Sequence, residues 1–220
     1  MAIRAFVRKT GRMSESAPPP DAHVLVGLLG DEPTTRTEAV AARLHVAPDV
    51  AERCLSALER DGLVERVGTG EWRIAALDPG ELRELYPAVA ILERLALRQS
   101  PRFGADALDE LRTVNARLRA AAGDAPSAIA ADYDFHELLA RNCGNPGLLD
   151  VLGSIKRALV PYERAYMLDA ARIERSAAQH DEIIAALEAG DHNRASDLVR
   201  ENFTSSLPHL ASQFEDDTTP

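Results

Sequence analysis

From Asp78 to about Gln213 the sequence reads as six helical patterns separated by short breaks, at about 80–100, 104–122, 126–142, 146–168, 171–188 and 192–213. Asp78 is placed to cap the first, with Pro79 in its first turn. The later breaks are equally explicit: "CGNPG" joins a glycine stop, an asparagine cap and a proline start, and "EAGDHNRA" joins a glycine stop to an aspartate cap. Consecutive helices with connections this short fold back on one another, so an antiparallel α-helical bundle is expected over 78–213. Aromatic content of 5%, with alanine, leucine, arginine and glutamate dominant, agrees with a mainly α chain.

A different grammar precedes the bundle. "DAHVLVGLLG" is a short apolar helix stopped by Gly30, and "DEPT" is a turn. Thr35 with Glu38 has capping-box spacing before "RTEAVAARL", which pairs Val40 with Leu44. A third helix starts near Pro48, buries Val50, Cys54, Leu55 and Leu58, and ends at Gly62. "LVERV", "GTG" and "EWRIA" then read as two short strands around a turn. Three helices and a hairpin make a winged helix-turn-helix over 21–77. Residues 1–20 read as a disordered arm and 214–220 as a disordered tail. The arm carries Arg4, Arg8, Lys9 and Arg12 ahead of Met13, which leaves Met13 open as an alternative start.

The two cysteines, Cys54 and Cys143, have no metal-type spacing and read as reduced thiols, which points to the cytoplasm. No apolar run is long enough to span a bilayer. The net charge of −10 argues against wholesale coating of nucleic acid, and residues 21–77 hold six basic side chains against ten acidic ones.

Asp132 and His136 in "DYDFHELLARN" are four apart, about 40° around a helix, and can reach one ion together. Asp134 is turned about 200° from Asp132. His180 stands at the start of the run "HDEIIAALEAGD", and Asn202 follows in the next helix. One carboxylate and two neutral imidazoles suit a borderline divalent ion such as Zn, Ni or Mn. Spacing of this kind also occurs in ordinary surface or core pairs.

The order of a winged helix-turn-helix, then "ELYPAVAILERLALR", "DYDFHELLARNCGNPGLL" and "QHDEIIAALEAGDHNRASDLVRENF", resembles the FadR-like branch of GntR-family bacterial transcription regulators with their FCD effector domain. The resemblance runs from about residue 22 to 210. It implies a dimer that binds operator DNA, and a helical domain that binds a small organic acid or related metabolite through a metal held by one aspartate and three histidines. The matching positions here are Asp132, His136 and His180, with Asn202 where the third histidine belongs. Members of that family often place an effector-binding arginine where this chain has Val89; Arg94 and Arg98 are the nearby alternatives on the same helix.

The DNA-reading helix departs further. Where the family pattern has two contact arginines this chain has Pro48 and Glu52, and a third contact arginine is replaced by Glu38. Arg36, Arg43, Arg53, Arg66 and Arg73, with Gly70 at the wing tip, remain as candidate phosphate contacts. Trp72 reads as packing between wing and helix. The leading expectation is therefore a metabolite-responsive DNA-binding regulator. A ligand- or metal-binding protein whose winged helix serves protein interaction is the alternative, and a metal-dependent enzyme is the third. No distinctively spaced base or nucleophile supports the enzyme reading.

Overall fold

The computed structural model describes residues 34–60, 62–75 and 78–215. The arm expected over 1–20, the helix expected in "DAHVLVGLLG" and the tail beyond 215 lie outside the described residues. The chain divides into two compact units, Met1–Leu77 and Asp78–Pro220.

In the first unit, β1 (Thr35–Arg36) leads into α1 (Thr37–Leu44), followed by α2 (Pro48–Arg60), β2 (Val64–Gly68) and β3 (Glu71–Ile74). The three strands form an antiparallel sheet in the order β1-β3-β2. The capping box at Thr35 does not form. Thr35 pairs with Trp72 across β1 and β3, so the helix starts one residue later than the box would place it, behind Arg36, whose side chain makes no cap. A two-residue strand uses backbone groups that the cap would have used.

Helix α2 buries Ala51, Leu55 and Leu58, leaving Val50 and Cys54 half-buried, so its inner face is rotated slightly from the expected one. Gly62 ends it with φ 76°, a left-handed conformation that favours glycine. Trp72 is fully buried, and its indole N–H donates to Thr37 Oγ1 at 2.9 Å.

The second unit consists of α3 (Pro79–Gln99), α4 (Ala105–Ala120), α5 (Ala125–Ala140), α6 (Pro146–Tyr166), α7 (Ala170–Glu188) and α8 (His192–Glu215). Side-chain caps fix five of the six starts, α4 beginning behind Gly104 without one. Asp78 accepts from Gly80 N, Asp124 from Ser127 N, Asn145 from Leu148 N, Asp169 from Ala171 N and Asp191 from Arg194 N. Each satisfies a backbone donor that the helix itself cannot, and contributes about 1 kcal/mol.

Helix α3 packs along α8 and also touches α5 and α6, while α4 lies against α5 and α7. Leu82, Leu97, Leu111, Leu118, Ile129, Leu139 and Leu159 are sealed between them, each contributing roughly 1.5–3 kcal/mol of apolar burial. No helix among the described residues is long and apolar enough to cross a membrane.

Candidate metal centre and nucleic-acid face

Helix α5 runs without a break through Asp132 and His136, so the four-residue spacing delivers both to one face. His180 approaches from the middle of α7, ten residues past its start rather than at the opening of a helix. The ligand atoms of Asp132, His136 and His180 all lie within 4.8 Å of one another. Asp132 Oδ2 is 4.0 Å from His136 Nε2, and Asp132 Oδ1 is 3.6 Å from His180 Nε2. Donors of a tetrahedral ion sit about 3.4 Å apart when bonds are near 2.1 Å, so small side-chain adjustments suffice.

The two imidazoles are aimed by what stands behind them. Glu93 on α3 lies 2.5 Å from His136 Nδ1, and its other oxygen accepts from Lys156 Nζ on α6 at 2.8 Å. His180 Nδ1 faces Asn115 Oδ1 on α4 at 3.2 Å. Asn115 is locked in that orientation because its amide N–H groups donate to Ala177 O at 2.9 Å and Asp181 Oδ1 at 2.7 Å. In its neutral form each ring therefore carries its proton on Nδ1 and presents an Nε2 lone pair toward Asp132. Those two Nε2 atoms are buried and have no hydrogen-bond partner. Buried polar atoms are rarely left so, and an ion held by Asp132, His136 and His180 would satisfy both. The donor set fits a divalent metal. A backing carboxylate or amide that fixes the ligating tautomer is the usual partner of a metal-bound histidine.

Electrostatics follow from this packing. Burial raises the Asp132 carboxyl above its ordinary pKa, even though the charges of His136 and Lys156 pull the other way. Burial also opposes charge on His136, but the Glu93 carboxylate outweighs it and holds the imidazole above the usual histidine value. His180, sealed and backed by a neutral amide in place of a carboxylate, is held well below it by burial and by the neighbouring cations. Its ring stacks on Phe135 with centroids 3.7 Å apart.

Asn202 on α8 is buried, and its amide N–H donates to Gln179 at 2.9 Å, next to His180 in sequence. Arg94 is engaged with Asp197 at 2.7 Å, Arg98 is exposed, and Val89 is fully buried. The side chain that α3 brings to the cluster is Glu93, which the sequence reading passed over along with Lys156 and Asn115.

Four of the candidate phosphate contacts in the first unit, Arg36, Arg53, Arg66 and Arg73, are already engaged within that unit. Arg66 NH1 meets Glu52 Oε1 at 2.7 Å, and the guanidinium lies 4.0 Å over the Trp72 ring. Thr37 Oγ1 donates to Glu52 Oε2 at 2.8 Å. Arg53 pairs with Asp49 at 2.7 Å, Arg73 with Glu65 at 2.6 Å and Arg36 with Glu38 at 3.6 Å. Arg43 is exposed. The carbonyl of Gly70 accepts from Thr37 N at 2.9 Å, which ties the wing tip to the start of α1. Glu52 is thus a bridge between helix and wing rather than a bare acid.

Residues 84–205 match the model of the FCD domain. The chain belongs to the FCD-domain family. Joined to a winged helix-turn-helix, this makes it a GntR-family transcription regulator of the FCD type. The HTH-type transcriptional repressor GlaR of Escherichia coli (strain K12) is 24% identical over 184 residues, spanning 79% of this chain and 84% of that protein. The structure of E. coli McbR/YncC shares the fold, with a TM-score of 0.70 at 16% identity over 88% of this chain and 95% of that one. A GntR transcriptional regulator from Rhodococcus sp. RHA1 does likewise, with a TM-score of 0.67 at 17% identity over 86% and 92% of the two chains. In the FCD domain the matched segment contains Asp132, His136 and His180 together with their supports Glu93, Asn115 and Lys156.

Proposed function

We propose that this regulator senses a small organic acid or related metabolite through a divalent ion, Zn, Ni or Mn, held by Asp132, His136 and His180, with Asn202 as a weaker fourth donor. The observation that carries this reading is the pair of buried, unpartnered Nε2 atoms facing one carboxylate. When bound, the ion would supply open coordination positions for the guest. The chain's own residues aim the imidazoles and exclude water from them.

In this reading residues 21–77 bind operator DNA in the cytoplasm, with Arg36, Arg43, Arg53, Arg66, Arg73 and the Gly70 turn at the phosphates. Residues 78–213 carry the effector site and the homodimer contact, since two symmetric copies are needed to read a palindrome. The test is elemental analysis of the purified chain, followed by DNA retardation with its own upstream region across a salt series. A metal-free protein after zinc incubation, or no specific retardation at low salt, counts decisively against it.

One observation favours a second reading, a ligand- or metal-binding protein whose winged helix serves protein interaction. The acids Glu38, Asp49, Glu52 and Glu65 occupy arginines that would otherwise meet phosphate. That reading requires Pro48→Arg with Glu52→Arg to create DNA affinity that the natural chain lacks. DNA binding unaltered by the pair of changes would remove it.

A further inference from the structure

Helix α2 sorts its charged side chains onto two sides. Its inner face is set by the buried Ala51, Leu55 and Leu58. With about 100° between successive residues, Glu52 and Glu59 stand roughly 70–90° from the centre of that face. They lie on the side that meets the wing, where Arg66 takes up both, at 2.7 and 4.0 Å. Asp49, Arg53, Ser56 and Arg60 stand roughly 130–190° away, opposite the core. The outward stripe of α2 therefore does not contain the acid at Glu52, and its arginines outnumber its one acid.

Within the stripe, Arg53 Nη1 donates to Asp49 Oδ2 at 2.7 Å across one helical turn, and the two side chains are 67% and 68% exposed. An exposed pair at this spacing is weak, so Asp49 orients the guanidinium without withholding it. Among the described residues only Nη1 of Arg53 is engaged, which leaves Nη2 and Nε of the fork open. A carboxylate has about four acceptor sites, so Asp49 keeps room for a further donor. Val46, Ala47 and Pro48, just before this pair, are exposed and carry no side-chain donor. Polar recognition at this end of the helix falls to Asp49 and Arg53.

That combination of donors and acceptors matches one kind of base pair. Guanine presents O6 and N7 as neighbouring acceptors for an arginine fork, and cytosine presents an N4–H donor for a carboxylate. The second helix of a helix-turn-helix enters the major groove with its N-terminal residues toward the base edges. Asp49 and Arg53 are the second and sixth residues of α2. Their separation along the axis is roughly 6 Å, less than two base-pair steps of about 3.4 Å, so both reach the same pair or adjoining ones.

We propose that Arg53, buttressed by Asp49, is the base-reading residue of this regulator and selects a guanine in the major groove, while Asp49 accepts from cytosine N4 of the same or the adjoining pair. The assignment rests on the operator-binding reading above and moves Arg53 within it from the phosphates to a base edge.

The test lets the purified full chain select duplexes from a pool with a randomised core, and repeats the selection with Arg53→Ala, Asp49→Ala and the phosphate-contact control Arg36→Ala. All three side chains are exposed, and circular dichroism confirms that the variants keep the fold. The natural chain enriches sites with a fixed guanine. In Arg53→Ala the preference at that guanine vanishes, the other positions persist, and affinity for the selected site falls about 10- to 100-fold; in Asp49→Ala the preference is reduced. Replacing the guanine by 7-deazaguanine, which lacks the N7 acceptor, weakens binding by the natural chain and leaves Arg53→Ala unaffected. A phosphate contact carries no sequence information, so an Arg53→Ala loss that is equal on every sequence, as for Arg36→Ala, overturns the assignment. Enrichment without a fixed guanine, or a guanine preference that survives Arg53→Ala or is untouched in Asp49→Ala, does the same and leaves DNA binding standing. A pool from which the natural chain enriches nothing overturns the operator reading and this assignment together.

Discussion

Glu93 stands behind His136 with a carboxylate oxygen 2.5 Å from Nδ1, and both side chains are 2% exposed. The relationship does two things at once, because the same carboxylate also holds the buried Lys156. Glu93→Gln should weaken zinc binding by roughly 10- to 100-fold and destabilise the chain by about 3 kcal/mol by leaving Lys156 without a counter-charge. Adding Lys156→Met should restore most of the stability and none of the metal affinity. Calorimetry and urea titration of both variants separate the two roles. Recovery of zinc affinity in the double variant would show that Glu93 does not support the ligand.

Metal uptake should release protons in a pH-dependent way. His136 is held above the ordinary histidine value and so remains partly protonated near neutrality, while His180 is held well below it and is already neutral. Zinc must displace the His136 proton, so affinity climbs as pH rises through that raised value and levels off above it. Calorimetry in buffers of different ionisation enthalpy should report more protons released per zinc at pH 6.5 than at pH 8.5. Equal release at both would contradict the pairing of His136 with Glu93.

Glu163 imposes the opposite trend on the metal-free chain. Its pKa is about 7 in the folded state against 4.5 as a free side chain, so between those values the folded chain holds more protons than the unfolded one. Its contribution to stability is therefore present below pH 4.5 and lost as pH rises through 7. Glu163→Gln should match the natural chain at pH 4 and exceed it at pH 8 by about 1 to 3 kcal/mol. Urea midpoints at the two pH values measure the difference.

In the first unit, Glu52→Gln with Glu59→Gln should release Arg66 from its ion pairs at 2.7 and 4.0 Å. With an additional arginine free to meet phosphate, operator DNA binds more tightly, and the slope of log affinity against log salt steepens by about 0.9. An unchanged slope across a salt series would show that Arg66 does not reach the backbone.

Ile91 and Leu95 lie one turn apart on α3, 62% and 42% exposed. If this face meets a second copy, Ile91→Glu with Leu95→Glu should convert a dimer to a monomer in sedimentation equilibrium and leave zinc uptake intact. A dimer that persists places the contact elsewhere.

What could be read in advance was what local rules govern. Asp132 and His136 follow from helical spacing, and the breaks at Asn145 and Asp191 follow from capping chemistry. Glu93, Lys156 and Asn115 escaped notice because their meaning depends on which helices face one another. A signal was nonetheless present. Glu93 sits among buried Val89, Ala90, Ala96 and Leu97, Lys156 between Leu152 and Leu159, and Asn115 between Leu111 and Leu118. A polar residue inside an apolar stripe needs a buried partner, and three of them in neighbouring helices mark a site. The acid at Glu52 looked hostile to DNA because its partner lies on the wing, fourteen residues later. The two-residue strand at Thr35 was hidden by a valid capping pattern that the sheet overrode.

The centre draws on every helix of the bundle: Glu93 from α3, Asn115 from α4, Asp132 and His136 from α5, Lys156 from α6, His180 from α7, and Phe203 of α8, whose ring centroid is 4.8 Å from that of His136. No fragment lacking one helix retains the whole arrangement. Zinc should accordingly slow amide hydrogen exchange throughout the six helices instead of near the ligands alone, so that occupancy of a few cubic ångströms is reported across the full width of the regulatory half.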